Sequence, residues 1–197
     1  MSLLPGPSPA SAERVFVGLG ANLGDTAAAL ASALSALSAL PGTCLIAVSS
    51  TYRSAPVDAQ GPDFLNAVAE LRTALEPVAL LAGLHDIEHR HGRQRGERNA
   101  PRTLDLDLLL YGERRIDGAA LVLPHPRLTA RAFVLAPLAE LAPGLQVPGQ
   151  GAVAALLEAV RGQRVERVDV GVVPPTIAAA ARHGGTAAGA LRTLDSP

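Results

Sequence analysis

Residues 103–111 read Thr103-Leu104-Asp105-Leu106-Asp107-Leu108-Leu109-Leu110-Tyr111, and their alternation of apolar and acidic side chains has the period of an extended strand. Successive side chains of a strand leave on opposite faces, so Leu104, Leu106, Leu108 and Leu110 point toward a core. Asp105 and Asp107 share the other face, with Cα atoms roughly 7 Å apart. Two neighbouring carboxylates make a ledge for a hard cation such as Mg²⁺, which takes one or two protein carboxylates and fills its remaining positions with water and phosphate oxygens. Upstream, Arg90, Arg93, Arg95, Arg98 and Arg102 crowd a stretch in which Glu97 is the only acid. Guanidiniums beside a metal ledge suit chemistry on a nucleoside polyphosphate. Taken singly, the acidic strand is an ordinary solvated edge and the Arg-rich loop an ordinary surface loop. Their adjacency is what points to a site.

The elements before this strand set its place in a fold. Pro77 opens a helix that runs to His91 with Leu80, Leu84 and Ile87 inward, and Gly92 closes it. Strands are predicted at Arg14–Leu19, Cys44–Ser49 and Leu65–Leu71. Between the first two, Asp25 caps a helix over Thr26–Leu40 that buries Leu30, Leu34 and Leu37 and ends at Pro41-Gly42. The order β-α-β-β-α-β predicts a ferredoxin-like antiparallel sheet with both helices on one face. Further helices at Ala132–Leu141 and Val153–Val160 are available for the other face. The expected fold is therefore α+β, a three-layer α/β/α arrangement with extra C-terminal helices. Residues 1–13 read as a disordered leader, 14–161 as the single domain, and 162–197 as an Ala/Gly-rich extension in which Arg164–Val173 forms an edge strand. The loop Ser54–Pro62 is long for a hairpin connection, a common property of functional loops.

Composition narrows the classes of function. A formal net charge of -1 gives no general attraction to nucleic acid or to an anionic membrane, so neither is an expected partner. The single cysteine, Cys44, cannot form an intrachain disulfide and fits a reducing compartment. No basic residue precedes Arg14, and prolines break the first residues, so neither a secretory signal nor a transit peptide is expected. No apolar run reaches the length of a membrane span. A cytoplasmic location is the expectation.

Two motifs resemble other chemistries. Gly18, Gly20 and Gly24 lie between a strand and a helix, but Leu23 stands where a dinucleotide fingerprint needs its third glycine, and no carboxylate occurs between Thr26 and Val57 to hold a ribose. His85-Asp86-Ile87-Glu88-His89 matches the H-x-x-E-H pattern of zinc peptidases, with Glu113, Glu140 and Glu158 as scattered candidates for the third ligand. A zinc peptidase through His85, Glu88 and His89 stands as an outside alternative.

Six short motifs occur in order: Gly18-Leu19-Gly20-Ala21-Asn22-Leu23-Gly24-Asp25, Ser50-Thr51-Tyr52-Arg53-Ser54-Ala55-Pro56, Pro62-Asp63-Phe64-Leu65-Asn66-Ala67, Gly92-Arg93, Ala100-Pro101-Arg102-Thr103-Leu104-Asp105-Leu106-Asp107 and Pro124-His125-Pro126-Arg127. Together they resemble the 6-hydroxymethyl-7,8-dihydropterin pyrophosphokinases of folate biosynthesis over about residues 14–160. The resemblance implies a ferredoxin-like enzyme that transfers the pyrophosphoryl group of ATP to the hydroxymethyl oxygen of the pterin, leaving AMP. It implies two Mg²⁺ ions on Asp105 and Asp107, with Arg93 and Arg102 as catalytic phosphate contacts. Arg98, His125 and Arg131 join Arg93 and Arg102 as the expected ATP-binding set. The implied pterin pocket comprises Ser54, Pro56, Val57, Phe64, Asn66 and Phe133. Asn99, Ala120 and Pro126 depart from the family pattern, and Phe64 replaces a common Tyr. A monomer is expected. The rival readings are a catalytically silent nucleotide- or pterin-binding module and a different metal-dependent phosphoryl transferase.

Overall fold

The computed structural model of the chain describes residues 12–56, 61–92 and 102–172. Its central strand is β1 (Glu13–Ala21), flanked antiparallel by β4 (Phe64–Thr73) on one side and β5 (Asp105–Tyr111) on the other. Helix α1 (Thr26–Ser38) leads from β1 to β2 (Thr43–Val48) and β3 (Thr51–Ser54), which both pair antiparallel with β4. Helix α2 (Pro77–Arg90) leads from β4 to β5. The spatial order β3-β4-β1-β5, with β2 also on β4, is the ferredoxin-like arrangement expected from the element order.

Local signals in the chain explain where the helices begin and end. The Asp25 carboxylate accepts a hydrogen bond from the Ala28 amide at 2.9 Å and caps α1, whose Leu30, Leu34 and Leu37 are fully buried. Pro77 occupies the first turn of α2, and Gly92, at φ +76, takes the left-handed conformation that ends it. Both helices pack on one face of the sheet against Val15, Val17, Leu19, Leu104, Leu106 and Leu108. The opposite face, with Phe16, Val68 and Leu109, is covered by a 3-10 turn (Leu128–Ala130), α3 (Ala132–Leu141) and α4 (Val153–Ala159). Short two-residue pairs, β6 (Ile116–Asp117) with β7 (Val122–Leu123) and β8 (Gln146–Val147) with β9 (Gly151–Ala152), trim the connections.

The structure departs from the sequence reading at two places on the sheet. The second predicted strand, Cys44–Ser49, is followed after a short break by a strand that the sequence reading did not assign, β3. At the break, Ser49 Oγ accepts from the Val68 amide at 3.0 Å, so a side chain replaces a ladder group, and pairing with β4 resumes at Tyr52, opposite Asn66. In β5 the partner of β1 jumps from Leu110 to Leu108 between Phe16 and Val17, which marks a bulge at Leu109. The extra residue shifts the alternation by one, so Leu110 packs with Phe16 on the α3 face rather than with Leu104, Leu106 and Leu108.

The expected edge strand is present as β10 (Val165–Val168), paired antiparallel with β3. Together with the buried Val172 it carries the packed unit past residue 161, where the sequence placed the start of the extension. Truncation after Arg161 is expected to lower the melting temperature by about 5 °C, the equivalent of roughly 2 kcal/mol at this size, whereas deleting residues 175–197 should leave it nearly unchanged. Thermal melts of the two truncations decide between a docked and a dispensable segment.

Candidate active site

The register of the sheet places the chemistry. On the face covered by α3, one cross-strand row runs Asp105 (β5), Gly20 (β1), Asn66 (β4) and Tyr52 (β3), and the next runs Asp107, Gly18 and Val68. The two glycines leave the middle of both rows without side chains. This bare patch is the floor of a cleft of about 220 Å³, whose walls include Arg102, Asp105 and Asp107 at one end and Ser54, Phe64 and Asn66 at the other. Arg127, Arg131 and Phe133 come over it from the turn before α3 and from the first turn of that helix. A methyl group added at Gly20 would lie 3.3 Å from Asn66 Oδ1, tight enough to crowd the floor.

Charge in the cleft is arranged around the two carboxylates. Arg102 Nη1 lies 2.8 Å from Asp105 Oδ1, while Arg131 Nη1 and His125 Nε2 approach Asp107 at 3.8 and 3.7 Å. Burial pushes the Asp107 carboxyl above the usual carboxylate range and repulsion from Asp105 adds to it, against the pull of His125, Arg131 and Arg127. His125 is lowered, first by burial, with Arg131 and Arg127 contributing and Asp107 opposing. Its Nδ1 accepts from the Arg127 amide at 3.2 Å, which leaves the proton of the neutral ring on Nε2, facing Asp107. The Arg131 guanidinium is lowered by burial and by Arg127, and it sits 5.3 Å from the Phe133 ring centroid. Two adjacent carboxylates with Arg102, Arg127 and Arg131 in the same cleft suit a divalent cation and a phosphate chain together.

At the other end, Asn66 is buried and its Nδ2 donates to Ser54 Oγ at 3.0 Å and to the Tyr52 carbonyl at 3.3 Å. With both donors committed, Oδ1 is directed over Gly20 toward the floor. A planar ligand lying there would present an N–H to it.

Asn22 ties the rim together. The Arg102 amide donates to Asn22 Oδ1 at 2.7 Å, the Asn22 amide returns a bond to the Arg102 carbonyl at 3.0 Å, and Asn22 Nδ2 donates to the Pro62 carbonyl at 3.2 Å. One buried side chain thus holds the backbone of Arg102 and the end of the loop that leads into β4.

The zinc-peptidase alternative fails on this geometry. Glu88 is buried under β5, where Oε1 accepts the Leu106 amide at 2.7 Å, while His85 and His89 are exposed on α2. A carboxylate that satisfies an edge-strand amide cannot serve as a base beside zinc held on the solvent side. Among the described residues no cluster of three His, Cys, Asp or Glu could hold a metal ion. A Mg²⁺ site that relies on two carboxylates and substrate oxygens does not require one.

Of the residues singled out in the sequence, Ser54, Phe64, Asn66, Arg102, Asp105, Asp107, Arg131 and Phe133 line one cleft. His125 joins them through Asp107, and Pro56 follows Ala55 at the rim without lining the cleft. Val57, Arg93 and Arg98 lie outside the described residues.

Residues 16–143 match the family model described as 7,8-dihydro-6-hydroxymethylpterin-pyrophosphokinase (HPPK). The chain belongs to this family. A 2-amino-4-hydroxy-6-hydroxymethyldihydropteridine pyrophosphokinase of Pseudomonas aeruginosa is 46% identical over 157 residues, covering 79% of this chain and 97% of that protein. Its counterpart from Synechocystis is 42% identical over 147 residues, 75% of each chain. Among solved structures, an HPPK-DHPS in complex with substrates superposes with a TM-score of 0.63 at 12% identity over 80% of this chain, and wild-type Plasmodium falciparum HPPK-DHPS with SDX-DHP gives 0.61 at 12% over 75%. These likenesses concern the fold, and this chain spans less than half of either, 46% and 44%.

The strand geometry explains why the glycines fail as a dinucleotide fingerprint. Gly18 and Gly20, two positions apart in the apolar run 15–21 of β1, share one face of the strand and clear the floor of the cleft. Arg127 also lines the cleft; it falls within the motif Pro124-His125-Pro126-Arg127 but is not among the site residues expected from the sequence.

Proposed function

We propose that this chain transfers the pyrophosphoryl group of ATP to the hydroxymethyl oxygen of 6-hydroxymethyl-7,8-dihydropterin, releasing AMP and the pterin diphosphate. The observation that carries the reading is the pair Asp105 and Asp107 side by side on β5, in one cleft with Arg102, Arg127 and Arg131 and across the bare floor from Asn66 and Phe64. Their chemistry fits Mg²⁺: two oxygen donors, half-buried and mutually repelling, on the face that the arginines share. Asp105 and Asp107 would hold the metal, two ions in the family's pattern, and bound there it neutralises charge on the phosphate chain and polarises the phosphorus under attack.

The side chains supply the rest. Arg102, held by its backbone to Asn22, is fixed at the metal end of the cleft and can meet phosphate oxygens as charge builds on them. Arg131 and His125 frame the other carboxylate and complete the nucleotide side. Asn66 and Ser54 read the polar edge of the pterin, and the Phe64 and Phe133 rings offer apolar surface to its faces. None of these groups is placed as a general base for a primary alcohol, so the rate rests on alignment of the hydroxyl with the phosphorus and on electrostatic stabilisation. The same proposal places the enzyme in the cytoplasm, where a lone thiol stays reduced, and takes it to act as a monomer.

Product analysis tests the reading. AMP is expected, not ADP, and only when ATP, the pterin and Mg²⁺ are all present. ADP would assign the cleft to another phosphoryl transfer, and binding of both ligands without turnover would make the chain a silent binding module.

A further inference from the structure

We infer that Gln163, in the segment after α4, is a positioning residue that sets Arg131 and Phe133 in the cleft; the inference rests on the function proposed above. Arg131 occupies the N-cap position of α3, where a short oxygen-bearing side chain ordinarily satisfies a free amide of the first turn. A guanidinium accepts no hydrogen bond, and this one is directed at Asp107. The cap is supplied from elsewhere. Gln163 Oε1 accepts the Ala132 amide at 2.9 Å, and Gln163 Nε2 donates to the Ala130 carbonyl at 2.8 Å. A single side-chain amide therefore grips the peptide groups on both sides of Arg131.

The grip is anchored at its own end. The Gln163 amide donates to the Val160 carbonyl at the end of α4, and two residues later the chain enters β10, where Val165 pairs with Ser54 and Arg167 with Tyr52. At the far end of α3, Glu140 accepts from the Ser50 amide at 3.0 Å and from Tyr52 Oη at 2.8 Å. Helix α3 is thus fastened at both ends to the β3 side of the cleft, by Gln163 at the end that carries Arg131 and Phe133. Without Gln163 the first turn of α3 loses its cap, and Arg131 and Phe133 are free to drift from the carboxylates and the floor. The loss falls on the geometry of two side chains, not on the core, because Gln163 itself is exposed.

The test is a double-mutant cycle with amide exchange as a second readout. Gln163→Ala is expected to lower kcat/KM for the pterin about fivefold in the native background, with a melting temperature close to that of the parent, and to have a clearly smaller effect when Arg131 is already Ala, because only Phe133 is then left to drift. Gln163→Glu keeps the acceptor for the Ala132 amide but gives up the bond to the Ala130 carbonyl, so it should recover part of the loss. Equal losses in both backgrounds, or no loss in either, would overturn the inference. Hydrogen exchange at the Ala132 and Phe133 amides should quicken in Gln163→Ala and slow again in Gln163→Glu. Exchange that does not change would also overturn it. If the parent protein released no AMP, the proposed function would fall, while exchange at Ala132 would still decide whether Gln163 holds the turn.

Discussion

Asp107→Asn is expected to cost roughly 10³-fold in pyrophosphoryl transfer, the equivalent of about 4 kcal/mol of transition-state stabilisation, while leaving the fold intact. The substitution keeps the shape of the side chain and its place in the row with Gly18 and Val68, and it leaves Leu106 and Leu108 in the core on the opposite face. What it removes is one of the two negative charges of the ledge. Stability should move the other way. The folded protein holds the Asp107 carboxyl above its ordinary range through burial and the Asp105 charge, so this group opposes folding at pH values above its unfolded-state pKa. That penalty is absent at low pH, where the carboxyl is protonated in both states, and it grows as the pH rises through the unfolded-state and then the folded-state pKa. In Mg²⁺-free buffer at neutral pH, Asp107→Asn should therefore melt at the same temperature as the parent or slightly above it. Steady-state assays and thermal melts on the same preparation check both halves. Turnover within a few fold of the parent would remove Asp107 from the chemistry, and a large drop in melting temperature would mean that the carboxylate is structural.

The same strand shows why much of this site is legible in the order of the amino acids. Alternation in 103–108 fixes which side chains face a core, and the period survives folding because Leu104, Leu106 and Leu108 all need the same buried face. The helices are equally readable, since Asp25, Pro77 and Gly92 act within one turn of themselves. Legibility ends where partners are distant in sequence. The bulge at Leu109 exists because β5 must match β1 across the sheet, and no local pattern announces it. The split between β2 and β3 depends on Ser49 meeting Val68, nineteen positions away. Likewise Asn22 holds Arg102 across eighty positions, and Gln163 caps a helix that starts thirty-one positions before it. These are side-chain amides and a hydroxyl that satisfy backbone groups in another segment, and their partners become visible only when the chain is folded.

Asn66→Ala should weaken pterin binding about tenfold or more and leave ATP affinity nearly unchanged. The reasoning starts from the commitments of one amide. Both Nδ2 bonds go to β3, to Ser54 Oγ and the Tyr52 carbonyl, so Oδ1 over Gly20 is the group left to face a ligand. Removal of the side chain takes away that acceptor and leaves Ser54 without its donor. An unpaired buried polar edge on the ligand costs roughly 1–3 kcal/mol, which spans factors of about five to more than a hundred in affinity. The phosphate end is insulated from this change, because Arg102 is anchored through Asn22 and Arg131 stands on α3, neither of them bonded to Asn66. Asn66→Asp sharpens the comparison, since it preserves the acceptor, discards both donors and introduces a charge. It should bind pterin worse than the parent because the carboxylate faces the Tyr52 carbonyl without a proton to share. Separate titrations of ATP and of the pterin on each variant read the result. Equal losses for the two ligands would show that the pterin edge is read elsewhere in the cleft.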